Sequence, residues 1–300
     1  MAPAAPRPAR KPPPDPGRGR ARLLTGILLL PASVWYLFLL VMPIAIVILF
    51  SFGERTRTGG YQAAFTLDNY AAAFGRTEPF ITSLMLSTLG TALCLVVGLP
   101  LAYFIATRAR KHKALLIVLL VIPFWTSFLI RTYAWLLILG QDGLAGFLQD
   151  VTGNRAFRIL GTEPGVLLGL LYGYLPLMVF PLYVTLERMD RALVEASKDL
   201  GAGRWATFRQ ITLPIALPGL ITGSILVFIP MMGEYVIPQI IGYGQVFTIG
   251  NALYLRFLEA RNWPAGAALG VLLILIMFIV VTAYIWFTNR GRRTRDVSVV

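Results

Sequence analysis

The chain has 300 residues, of which 57% are hydrophobic and 14% charged, with a formal net charge of +13 and a mean hydropathy of +0.70. A water-soluble domain of this length is not so apolar, and apolar runs of 18 or more residues read as membrane helices. One cysteine, Cys94, excludes a disulfide framework and a multi-cysteine metal site, and one histidine, His112, leaves histidine-based metal or nucleophile chemistry poorly supplied.

Residues 1–22 are rich in Pro, Ala and Arg, and have too little apolar surface to fold, so a disordered tail is expected. Charge followed by an apolar run is the pattern of a signal peptide, but the run over about 23–52 is too long and no small-residue cleavage site follows it. It reads as a retained first span behind a basic cytoplasmic tail, one that anionic membrane lipid attracts without specificity. Residues 53–79 are polar with balanced charge, as in an outer loop. A second span over about 80–107 leads to a tight basic loop, Arg108, Arg110, Lys111 and Lys113, which marks the cytoplasmic side.

A third span is expected over about 114–139, then a slightly acidic external loop, then a fourth span over about 164–186. Gly161, Gly165, Gly169 and Gly173 recur every four residues and lie on one face, where they permit close helix approach. A polar segment, 187–214, precedes a fifth span over about 215–241, an outer loop over 242–263, a sixth span over about 265–288 and a basic tail over 289–300. The expected fold is therefore all-α and integral to the membrane, with six spans and both termini cytoplasmic. Each cytoplasmic segment is basic and each outer one near neutral, so positive-inside bias explains the charge better than a nucleic-acid partner does. The sequence has no glycine–lysine phosphate loop, so any ATP-driven work would need a separate subunit.

Within 187–214, Glu195 and Ala196 suit a short helix and Gly201 suits its stop, because glycine takes the left-handed cap conformation. Leu213–Pro214 is expected to be extended, since proline disfavours the helical conformation in the residue before it. The result is a short helix held at the membrane surface by two spans. The run Glu195-Ala196-Ser197-Lys198-Asp199-Leu200-Gly201, closed by Ile211-Thr212-Leu213-Pro214, resembles the EAA loop of binding-protein-dependent ABC importer permeases, with Ser197 where a second alanine is usual. The resemblance implies that Glu195, Ala196, Ser197, Asp199, Leu200, Gly201, Ile211, Leu213 and Pro214 couple the chain to an ATPase. It also implies the type I importer fold, a second homologous permease, two ATPase subunits that hold ATP and magnesium, and an extracytoplasmic solute-binding protein. No cofactor and no bond chemistry are expected in this chain.

Further stretches are similar to the spermidine/putrescine-type permeases of that family. They include the run from Pro123 to Trp135, Tyr172-Gly173-Tyr174-Leu175-Pro176, Leu186-Glu187-Arg188-Met189-Asp190, Gly233-Glu234-Tyr235-Val236-Ile237-Pro238, and the run from Phe257 to Pro264. The resemblance implies import of a small cationic solute across a bacterial inner membrane. The alternatives are another small solute carried by the same kind of permease, or a stand-alone secondary transporter.

Glu234 stands out as an acid within the expected fifth span, where insertion costs about 2.5–3.5 kcal/mol. It either faces the translocation path, pairs with Arg131 of the third span, or reaches the outer interface. Trp125, Tyr133, Tyr172, Tyr174 and Tyr235 are candidate cation–π walls of that path, although helix packing or interfacial anchoring is the commoner role of any single aromatic in a span.

Overall fold

The computed structural model describes residues 16–109, 111–154 and 159–296. It divides into two units, one ending at Leu49 and one beginning at Phe50. The first is a run of helix: α1 (Pro16–Tyr36), a π-turn over Leu37–Val41, then the start of α2 (Met42–Ser51). The stretch Ile27–Ser51 is long and apolar enough to cross a membrane. Residues 16–22, expected as part of the disordered tail, have helical backbone, and residues 1–15 lie outside the described residues.

The second unit holds α3 (Asp68–Phe74), α4 (Glu78–Thr107), α5 (Lys113–Val121), a 3-10 turn over Ile122–Trp125, α6 (Phe128–Leu139), α7 (Leu144–Thr152) and α8 (Glu163–Glu187). Next come α9 (Arg191–Asp199), α10 (Arg204–Thr207), a π-turn over Phe208–Thr212, α11 (Leu213–Met232), α12 (Val236–Ile240), α13 (Ile249–Tyr254), a π-turn over Leu255–Glu259 and α14 (Trp263–Asp296). The last helix runs past the expected end of the sixth span through the basic tail to Asp296, and residues 297–300 lie outside the described residues.

The core forms where α4, α8 and α11 pack together, around Cys94, Ile105, Met178, Leu182 and Val227. The centre of this layer is α8, with 50% of its most apolar window buried, against 17% for α14. Small residues allow that proximity. A Cβ on Gly219 of α11 would lie 2.5 Å from the Pro181 carbonyl oxygen and 3.0 Å from the Leu182 Cα of α8, and one on Gly223 would lie 2.9 Å from Met178 Sδ. The glycine stripe of α8 does serve close approach, but its neighbour is the short α12: Cβ atoms on Gly169 and Gly173 would meet Ile237 and Ile241. Lys113 and Glu187 form an ion pair, so the loop before α5 and the end of α8 lie at one end of the bundle.

Five described helical stretches are long and apolar enough to span, and a sixth element is a pair bent by 94°. The expected third span is thus broken rather than straight. Pro123 lacks an N–H, and Thr126 (φ −83°, ψ 152°) and Ser127 (φ −54°, ψ 132°) are extended, so the ladder stops and restarts at Phe128. Arg131 braces the break by donating to the Pro123 carbonyl oxygen at 2.7 Å. The expected fifth span is displaced toward the N-terminus. Its helix already runs from Arg204 and ends at Met232.

Leu213–Pro214 is accordingly not extended: Leu213 is helical, with φ −65° and ψ −43°. The Leu213 N–H bonds back five residues to the Phe208 carbonyl oxygen. That wider turn relieves the clash that a proline ring makes with the preceding helical turn. Pro43 sits in the same place, two residues after the π-turn over Leu37–Val41.

Candidate functional site

The segment after α8 is built to hold one short helix rigidly. At the start of α9, the Asp190 carboxylate accepts from the Ala192 N–H at 2.9 Å. At its end, the Ala202 N–H reaches the Ser197 carbonyl oxygen and the Gly201 N–H reaches that of Lys198, both at 2.9 Å. This double closure needs a left-handed residue, and Gly201 supplies it at φ +80°. Between these ends, the buried Ser197 hydroxyl bonds Thr207 Oγ1 of α10 at 2.9 Å. Serine in place of alanine therefore has a use: it fastens α9 to the helix that follows.

The π-turn then carries α10 into α11 without a break. Glu195, Ala196, Asp199 and Leu200 are exposed, Leu200 to 88%, and Trp205 is 73% exposed while stacking on Phe208 at 5.6 Å. Ile211, Leu213 and Pro214 are half-buried at the root of α11. The arrangement presents an apolar and acidic face on a capped helix that is fastened to α10, which runs unbroken into α11 and the core. Asp190→Ala is expected to remove about 1 kcal/mol of capping. Faster amide hydrogen exchange over 191–199, with the core unchanged, would register it.

Glu234 lies at the interruption after α11, and it is buried. One carboxylate oxygen accepts from the N–H groups of Val236 (2.8 Å) and Ile237 (3.3 Å), which begin α12, and the other accepts from the Tyr174 hydroxyl of α8. The Thr248 hydroxyl donates to the Glu234 carbonyl oxygen at 3.1 Å, and Asn251 bonds the Tyr235 carbonyl oxygen and Gln239. Ser83 of α4 accepts from the Ile249 N–H at 2.8 Å. Gly250 fits against this break because a Cβ there would lie 2.6 Å from the Glu234 carbonyl oxygen. Glu234 thus ties α8, α12 and the 248–251 turn together. Three donors satisfy its carboxylate.

The expected Arg131–Glu234 pair does not form. The Arg131 guanidinium bonds Pro123 and lies over the rings of Phe124, Phe128 and Tyr172, at 4.8, 5.5 and 5.7 Å from their centroids. Ring faces and a carbonyl oxygen hold this cation in place of a carboxylate. The candidate aromatics do not share one environment. Tyr174 is buried on Glu234, Tyr172 meets Trp135 edge-on at 5.5 Å, and Tyr235 stacks on Tyr254 at 5.3 Å. Trp125 and Tyr133 are exposed, to 84% and 56%, and neither stacks on a ring among the described residues. Sequence reasoning missed Ser83, Thr248, Asn251 and Gly219. The Gly219–Gly223 spacing was a readable signal for the last; the first three carry none, because they acquire their roles only when distant segments meet.

Comparison with known proteins adds to this geometry. Residues 22–293 match the model of the binding-protein-dependent transport system inner membrane component family. The chain is 36% identical over 260 residues to the spermidine/putrescine transport system permease protein PotB of Escherichia coli, covering 85% of this chain and 94% of the relative. It is 35% identical over 254 residues to PotB of Haemophilus influenzae, covering 83% and 89%. The molybdenum transport system permease protein ModB of Escherichia coli is 33% identical over 196 residues, covering 64% and 83%.

Among solved structures, a bacterial ABC transporter involved in import of the acidic polysaccharide alginate matches with a TM-score of 0.66. That match has 18% identity and covers 91% of this chain and 97% of that one, so it bears on the fold alone. A match covering nearly the whole described bundle, together with identity above 30% along most of the length, shows the family. The chain belongs to the binding-protein-dependent transport system inner membrane components, and it is a multi-pass permease subunit of the inner membrane.

Proposed function

We propose that this permease imports polyamines of the spermidine and putrescine class and is driven by a separate ATPase that grips the exposed face of α9. The observation that carries the drive is the construction of α9: it is capped at both ends and fastened through Ser197 to Thr207 of α10, which is itself continuous through the π-turn with α11. The solute class is supported by the PotB relatives, which match over most of their own length. In this reading α9 and both termini face the cytoplasm, in keeping with the basic flanks of the spans. A second, homologous permease completes the pathway, two ATPase subunits hold ATP and magnesium, and a binding protein delivers solute from outside.

The role of this chain is mechanical. Closure of the ATPase pair displaces α9, α11 transmits the displacement to its crossing with α8, and the breaks near Thr126 and Glu234 mark where rigid pieces meet. The Arg131 guanidinium keeps its charge and is held over three ring faces and by the Pro123 carbonyl oxygen. The test is ATP-dependent uptake of labelled spermidine, putrescine and molybdate into vesicles that hold the complete complex. Saturable uptake of either polyamine, with none of molybdate, is expected. Uptake of neither polyamine by a complex that hydrolyses ATP would remove the solute assignment.

A further inference from the structure

Three buried side-chain oxygens have no hydrogen-bond partner among the described residues: Ser87 Oγ, Thr91 Oγ1 and Tyr284 Oη. They are not scattered. Thr91 and Tyr284 line one cavity of about 240 Å³ between α4, α11 and α14, and Ser87 lies one helical turn before Thr91. Elsewhere buried hydroxyls are satisfied: Ser83 accepts from Ile249, Thr132 donates to Phe128, and Ser197 and Thr207 bond each other. An unpaired buried hydroxyl is costly, and hydrocarbon lipid offers it no partner. The presence of two of these groups, Thr91 and Tyr284, on the wall of one cavity therefore points to something that bonds them there.

The chemistry of the wall narrows the occupant. Besides Thr88, Thr91, Ser224 and Tyr284, the lining is apolar, with Leu95, Phe228 and Val280 prominent, and no charged side chain takes part. Each water filling the space needs two to four polar partners. Four hydroxyls among apolar neighbours cannot supply them. A charged group is disfavoured still more, because burial without a counter-charge is very costly. We propose that this cavity is a binding site for a neutral amphiphile drawn from the membrane, its single hydroxyl or carbonyl group bonded to Thr91 and Tyr284 and its hydrocarbon body against Leu95, Phe228 and Val280. The site joins α11 to α4 and α14. If α11 is the driven helix of the proposed mechanism, an occupant here resists its motion, but the binding itself does not rest on that mechanism.

The probe is a benzyl alcohol carrying a trifluoromethyl diazirine, compared with its counterpart lacking the hydroxyl. Both are photolysed with the assembled complex in lipid nanodiscs, and labelled peptides are identified by mass spectrometry. Saturable labelling within residues 88–95 and 224–228 is expected, about tenfold stronger for the alcohol, as one added hydrogen bond allows. Thr91→Val combined with Tyr284→Phe should lower alcohol labelling to the level of the counterpart, and Ala92→Phe, which fills the space, should remove saturable labelling by both. Equal, non-saturable labelling of the wild-type complex by the two reagents would mean water or passing lipid only, and would overturn the site. Undiminished alcohol labelling of an assembled double variant would overturn the assigned contacts.

Discussion

Gly219→Leu is expected to wedge α8 away from α11 and to cost about 3 kcal/mol or more, the upper end of what overpacking does. The reason is the identity of the obstructing atoms. A Cβ at this position lies 2.5 Å from a backbone carbonyl oxygen and 3.0 Å from a Cα, so no rotamer change of a neighbour relieves the contact. At Gly223 the nearest atom is Met178 Sδ, at 2.9 Å, with the Met178 carbonyl oxygen farther off at 3.2 Å; a methionine side chain yields more readily than backbone, so Gly223→Ala should cost less. Gly203 has nothing within 4 Å of a built Cβ, and Gly203→Ala should change stability by less than about 0.5 kcal/mol. Thermal midpoints of the detergent-solubilised complex would rank the three. Equal midpoints for Gly219→Leu and Gly203→Ala would mean that the α8–α11 crossing is not the rigid joint described here.

Glu234→Ala should be comparably damaging, through a different cause. It leaves the Val236 and Ile237 N–H groups and the Tyr174 hydroxyl without their acceptor, at about 1–3 kcal/mol for each group left unpaired. Glu234→Gln retains an oxygen for the two N–H groups, and its NH₂ can donate to the Tyr174 oxygen, so most of the stability should return. Tyr174→Phe combined with Glu234→Ala should cost less than the sum of the two single changes, because both remove one shared bond. Transport kinetics separate this bracing role from solute recognition. A carboxylate that gripped an ammonium group would show a large rise in KM in Glu234→Gln, whereas a brace predicts KM within about twofold of wild type. A tenfold rise in a stable Glu234→Gln complex would return Glu234 to the solute path.

The contrast between these residues and the coupling segment explains what was readable in the sequence. Long apolar runs mark spans because a membrane demands them, and Glu195, Ala196 and Gly201 mark a short helix and its stop because helix ends are local chemistry, whereas the Asp190 cap went unread. The interruptions were hidden because the apolar runs continue across them: Pro123, Pro230, Gly233, Glu234 and Pro238 were local signs, but prolines also lie inside the unbroken helices α4, α8 and α11. Pro214 misled in the opposite direction, since the π-turn that accommodates it depends on the hydrogen bond from Leu213 to Phe208. The Arg131–Glu234 pair was inferred from charge and similar depth. Rotation about the helix axis decides which partner a side chain meets, and a broken span changes that rotation. Arg131 therefore faces Phe124, Phe128 and Tyr172, and Glu234 faces Tyr174.

The measurement closest to the central claim is ATP hydrolysis and solute uptake recorded together on the complete complex, wild type against Glu195→Arg. Glu195 is exposed on α9 and makes no contact that the fold needs, so the complex should assemble and melt as wild type does. Reversing its charge on a docking face should lower uptake about tenfold or more while the ATPase subunits still bind nucleotide. Unchanged uptake at an unchanged rate of hydrolysis would contradict the assignment of α9 as the place where the ATPase drives this permease.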